Sequence, residues 1–243
     1  MAGLNRAYKR RPNAVALNGA PVLCLDAGSK VSYPGSGTTW TDLSGNANNG
    51  TLVNGPTFDS ANGGSIVLNG TNQYSTTANA TAINLADNFT IDCWFNPSLI
   101  GTGMVFCSKY ASGFLGWLCN INAAGKISID GRNGNGSVGY FSLNTTVTAT
   151  VNTWYNFVVT ISGVNLIPYV NGSVASFSYS SGGTGSALNG AGTFAVNAPL
   201  LAGQVINVSY FNGKISCCKL YNRVLSATEI ATNFELLRGR YGI

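Results

Sequence analysis

Ten Asn-Gly dipeptides punctuate the 243 residues, and they limit the fold more than any other feature of the chain. Both residues tolerate positive φ, so the pair is the strongest short-range signal for a tight turn between antiparallel strands. Between these pairs lie short runs of β-branched and aromatic residues, among them SIVLNG, FTIDCWFNP, GMVFCSK, KISIDGR, WYNFVVTIS, NLIPYVNGSVASFSY and GKISCCKLYNR. In the second run Phe89, Ile91, Cys93 and Phe95 fall on one face and Thr90, Asp92 and Trp94 on the other, the period of two of a β-strand. Strands at this spacing, with turns between them, predict an all-β antiparallel sandwich or jelly roll, and one domain of about 220 residues suits such folds. Pro168, inside NLIPYV, removes a ladder donor and predicts an edge strand or a bulge. The Gly- and Ser-rich stretch 180–192 reads as a surface loop.

One helix is signalled, at about 226–238. Ser226 and Glu229 form a capping box, Ile230, Phe234 and Leu237 recur at helical spacing, and Gly239 can supply a left-handed stop. Both glutamates of the chain, Glu229 and Glu235, lie on it.

Composition removes several chemistries. Without histidine there is no Ser-His-Asp or Cys-His nucleophile system and no imidazole metal ligand. Two-carboxylate glycoside chemistry would have to be found among eight acids. The net charge of +5 is concentrated at the ends: Arg6, Lys9, Arg10 and Arg11 open the chain, and Arg238 and Arg240 close it. The remainder holds seven basic residues against eight acidic, so the charge describes two basic ends and gives no reason to expect nucleic acid as a partner. No stretch approaches the roughly 18 apolar residues of a spanning helix, and the start lacks a signal peptide, so cytoplasmic synthesis without membrane insertion is expected. Cys24, Cys93, Cys107, Cys119, Cys217 and Cys218 show no metal spacing and sit in strand-like apolar runs, so they are expected to be free, reduced and buried.

The block VLCLDAGSKVSYPGSGTTWTDLSGNANNGTLVNGPTFDSANGGSIVLNGTNQY resembles the first third of laminin-G-like jelly rolls of the concanavalin A-like lectin/glucanase superfamily. FTIDCWFNP, NTWYNFVVTISG, LIPYVNG and YFNGKISCCKLYNRVLSATEIATNFELLRGRYGI look like later strands and the closing helix of the same module. The resemblance implies a two-sheet jelly-roll sandwich over residues 21–243, closed by a short C-terminal helix and preceded by a basic arm at 1–20. A copy of this kind is similar to proteins encoded by tailed bacteriophages, which implies a virion structural role, as a capsid decoration or tail-associated subunit.

Three functions follow as expectations. The first is a non-enzymatic virion protein, made in the host cytoplasm, that docks on other capsid or tail subunits through Arg6, Lys9, Arg10 and Arg11, with Arg238 and Arg240 at the other basic end; a homo-oligomer is compatible with this role. The second is a lectin-like module recognising surface glycans, although Trp40, Trp94, Trp117 and Trp154 lie where aromatics usually fill a sandwich. The third and most remote is a glycoside hydrolase: family glycanases carry paired acids on one strand, whereas Phe89–Phe95 holds only Asp92, and Asp87 lies at an odd separation from it. No cofactor is expected. Asp42, Asn46 and Asn48, in the loop 42–50, could hold calcium with the help of carbonyls and water, or could form an Asx-rich turn.

Overall fold

A computed structural model describes residues 20–78, 81–83, 85, 88–111, 115–132, 140–163, 165–181, 200–202 and 210–243. Its strands form two antiparallel sheets. The larger runs β15 (Phe177–Ser181), β11 (Tyr140–Thr148), β10 (Lys126–Arg132), β9 (Leu115–Ile121), β8 (Met104–Ala111), β16 (Leu200–Ala202), β6 (Tyr74–Thr77), β3 (Gly50–Val53) and β2 (Thr39–Trp40). The other runs β14 (Ser173–Val174), β13 (Asn165–Val170), β12 (Tyr155–Ser162), β7 (Asn88–Pro97), β17 (Asn212–Tyr221), β5 (Ser65–Asn69) and β4 (Thr57–Asp59). Strand β1 (Leu23–Asp26) continues the β5 side of β17, pairing Leu23 with Leu220 and Asp26 with Cys217.

The predicted alternation of β7 is observed. Phe89, Ile91, Cys93 and Phe95 enter the core between the sheets, and Trp94 faces outward among other buried side chains. Phe95 of one sheet stacks on Phe106 of the other at 4.1 Å, and Phe106 meets Phe157 edge-on at 6.0 Å. Pro168 is tolerated because the neighbouring β14 pairs only with Tyr169 and Val170, so the donor that proline lacks falls at an edge.

The helix α1 (Ala227–Tyr241) lies across the outer face of the eight-stranded sheet. Its start is the expected capping box, in which Ser226 Oγ accepts from the Glu229 N–H and Glu229 Oε2 accepts from the Ser226 N–H at 2.8 Å. The expected stop at Gly239 is overrun. Tyr241 stacks on Trp94 at 4.1 Å and its hydroxyl donates to Ser216 Oγ at 2.9 Å, so the last turn is held down and Gly242 takes the left-handed position at φ 73°.

The Asn-Gly pairs do less hairpin work than their number suggests. Among those in the described residues, Asn171-Gly172 closes a two-residue hairpin, with φ of 51° and 76° between the paired Val170 and Ser173. Asn54-Gly55 and Asn69-Gly70 carry the chain from one sheet to the other, and Asn212-Gly213 lies inside β17.

Candidate functional site

Strands β9, β10 and β11 bury one face and leave the other polar. Trp117, Cys119, Ile121, Ile127, Ile129 and Leu143 enter the core. The alternate positions are Asn120, Ser128, Asp130, Ser142 and Asn144, and strand register sets Ser128 between Asn120 and Asn144 and Asp130 beside Ser142. Asn122 continues the row just beyond β9.

Short hydrogen bonds fix these side chains relative to one another. The Ser128 hydroxyl donates to Asn120 Oδ1, and Asn120 Nδ2 donates to Asp130 Oδ2 at 2.6 Å. Asn122 Nδ2 donates to Asn144 Oδ1 at 2.6 Å, while Asn122 Oδ1 accepts from the N–H groups of Ala124 and Lys126 at 3.0 Å each. Asp130 Oδ1 is buried and has no partner among the described residues. Burial pushes the Asp130 pKa above the ordinary carboxyl value, and hydrogen bonds from Ser142 and Asn120 only partly counter it. The face therefore carries amides, hydroxyls and one carboxylate, with Asn120, Ser128, Ser142 and Asn144 buried and Asp130 half-buried, a set whose chemistry suits polyhydroxylated ligands.

Among the described residues no second acid shares that face. Asp26, Asp59 and Asp92 belong to the eight-stranded sheet, Glu229 and Glu235 lie on α1, and Asp42 is in the loop after β2. Asp92, the acid singled out by comparison with glycanases, faces away from the core and is buried; Asn156 Nδ2 donates to its Oδ1 at 2.7 Å, and Lys219 Nζ lies 3.6 Å from Oδ2. Asp87 lies outside the described residues.

The loop 42–50 has the geometry of an Asx-rich turn. Asp42 Oδ1 accepts from the N–H groups of Cys24 and Ser44, and Oδ2 from the Ser44 hydroxyl and the Asn48 N–H, all within 3.0 Å. Asn46 and Asn48 both donate Nδ2 to the Val22 carbonyl at 3.1 Å. These contacts tie the loop to the start of β1.

Of the basic residues expected to dock, Arg6, Lys9, Arg10 and Arg11 lie outside the described residues. Arg238 is exposed, with Nε donating to Glu235 at 2.7 Å and Nη1 to the Ile243 carbonyl at 3.1 Å. Arg240 departs from the expectation of a free basic end. Its guanidinium turns inward and donates to both carboxylate oxygens of Asp26, at 2.7 and 3.3 Å, leaving 14% of its side chain exposed. Gly28 makes the room, since a Cβ there would overlap the guanidinium. The four tryptophans are also interior, none more than 6% exposed, so none offers a surface platform.

The polar face itself is absent from the sequence reading. Its signal was present in KISIDGR, where Ser128 and Asp130 alternate with Ile127 and Ile129, and in the Asn and Ser positions of the flanking runs. Only strand order shows that three such stripes lie side by side.

A family model described as the concanavalin A-like lectin/glucanases superfamily matches residues 69–231. No curated protein matches the chain in sequence. Among solved structures, the binding domain of Paraclostridial Mosquitocidal Protein 1 is similar with a TM-score of 0.68 and 18% identity, over 88% of this chain and 52% of that one. Domain 4 of AbnA, a GH43 extracellular arabinanase from Geobacillus stearothermophilus solved with arabinotriose, gives 0.65 and 14%, over 87% and 97%. The botulinum neurotoxin serotype D ligand binding domain, solved with N-acetylneuraminic acid, gives 0.69 and 14%, over 89% and 50%. The chain thus spans about half the length of the Mosquitocidal Protein 1 and neurotoxin domains.

Proposed function

We propose that this chain, which belongs to the concanavalin A-like lectin/glucanases superfamily, is a non-catalytic glycan-binding module whose ligand lies on the polar outer face of β9, β10 and β11. The observation that carries the reading is Asp130, whose buried Oδ1 has no partner among the described residues and lies among Asn120, Ser142 and the Asn122–Asn144 pair. Vicinal sugar hydroxyls both donate and accept, so a carboxylate beside amides can satisfy two at once. The arabinotriose and N-acetylneuraminic acid held by two structural neighbours support the ligand class. That Asp130 is the one acid on this face among the described residues argues against hydrolysis, which needs an acid and a nucleophile or base some 5 to 9.5 Å apart. Affinity of about 0.1–1 mM per short oligosaccharide is expected, a free energy of about 4–5.5 kcal/mol.

Saturation-transfer difference NMR with arabinotriose and N-acetylneuraminic acid tests the reading. It expects signal for at least one of them in the native protein and its loss in Asp130→Ala. Equal signal in both proteins, or none across a wider glycan array, would overturn it.

A second reading, docking on a virion through the arm 1–20, is supported by the clustering of Arg6, Lys9, Arg10 and Arg11. In that case removal of residues 1–12 should abolish association with the particle while glycan binding persists; retained association would refute arm docking.

A further inference from the structure

The interior of the sandwich holds a group of thiols that a glycan-binding face does not use. Cys93 on β7 and Cys218 on β17 are direct partners in one sheet, and Cys107 on β8 and Cys119 on β9 are direct partners in the other. All four are buried in the common core. Cys107 and Cys218 meet across the inter-sheet space with their Sγ atoms 3.4 Å apart. Backbones of β8 and β17 approach within 8 Å between Cα atoms, closer than the roughly 10 Å at which stacked sheets usually pack. Small side chains allow that approach. All six cysteines are free thiols.

We propose that Cys107 and Cys218 form a redox pair, which a peroxide-class oxidant converts into a disulfide stapling the two sheets together. A disulfide of about 2.05 Å requires the sulfurs to close by about 1.4 Å. Donation from Cys107 and then Cys93 lowers the pKa of Cys218, whereas burial holds Cys93 and Cys119 well above the ordinary thiol value. Cys218, which meets Cys107 across the core and Cys93 beside it in its own sheet, is taken as the first nucleophile. Its thiolate attacks one peroxide oxygen, the O–O bond breaks, and the leaving hydroxide takes a proton to become water, which leaves a sulfenic acid. The Cys107 thiol then attacks that sulfur, its proton passing to the departing hydroxyl; the S–S bond forms and the S–OH bond breaks, releasing a second water. Two thiols and one hydrogen peroxide thus give one disulfide and two waters. A bond joining residues far apart in sequence constrains the unfolded chain strongly and raises the melting temperature.

The test treats the full chain with stoichiometric hydrogen peroxide, counts thiols after denaturation, and maps peptides without reduction. Expected are four remaining thiols, a cross-link joining the Cys107 and Cys218 peptides, and a raised melting temperature, all reversed by dithiothreitol. Six remaining thiols, or a cross-link between any other cysteines, would overturn the pairing. Cys107→Ala should keep all of its remaining thiols under the same treatment. Should that variant fail to fold, the map of the native chain decides alone.

Discussion

Burial raises the pKa of Asp130, so the native state holds that proton more tightly than the unfolded chain does. Stability from this group is then full below the unfolded carboxyl value of about 4 and declines as pH rises through the native value. At neutral pH the ionised carboxylate costs the fold stability, which fits the binding role proposed for Asp130. Asp130→Asn, which keeps an acceptor for Asn120, should raise the melting temperature at pH 7, change it little below pH 4, and weaken glycan binding. A variant less stable than the native protein at pH 7 would contradict this account. Arg240→Ala tests the opposite kind of site, because it leaves the buried Asp26 carboxylate without its cation. A loss of about 3 kcal/mol in chemical denaturation is expected, and a loss under 1 kcal/mol would show that Asp26 is adequately held by the Gly28 N–H. Neither residue's role was legible in the sequence. Arg240 and Asp26 are 214 positions apart, and Asp130 matters through neighbours on other strands. Asp42, by contrast, bonds to Ser44 and Asn48 nearby, and its Asx-turn alternative could be read directly.

Elements were more legible than their partners. The capping box of α1 and the alternation of β7 are local patterns, and both appear as the sequence predicts. The helix end was misplaced because Tyr241 is held by Trp94 and Ser216, contacts no local rule contains. Asn-Gly pairs mark several turns, but Asn212-Gly213 lies inside a strand, and whether a turn closes a hairpin or changes sheets depends on distant strand pairing. Gly172 joins both lessons: its φ is 76°, and a Cβ there would lie 2.7 Å from the Phe234 ring of α1. Gly172→Ala should therefore strain the hairpin and displace the helix together, at about 1–3 kcal/mol. Trp94 and Trp154 lie beneath that helix, so tryptophan fluorescence should shift to the red. Unchanged fluorescence and stability would show that the helix does not depend on this close approach.

At the scale of the molecule, the two-sheet sandwich was accessible from alternation and turns, and the face proposed to bind glycan was not. Three polar stripes become one surface only when β9, β10 and β11 pair in register. The same assembly spends Arg240 on Asp26 and the four tryptophans on packing, so neither net charge nor aromatic count points to the proposed binding surface. Low overall charge is consistent with a face that works through amides and hydroxyls. The most direct test of the central claim is a map of backbone amide chemical-shift changes as arabinotriose or another bound glycan is titrated into the labelled protein. Changes concentrated in residues 118–130 and 142–146 are expected, and a bound glycan that instead shifts the loops around β4 or the helix α1 would contradict the assignment.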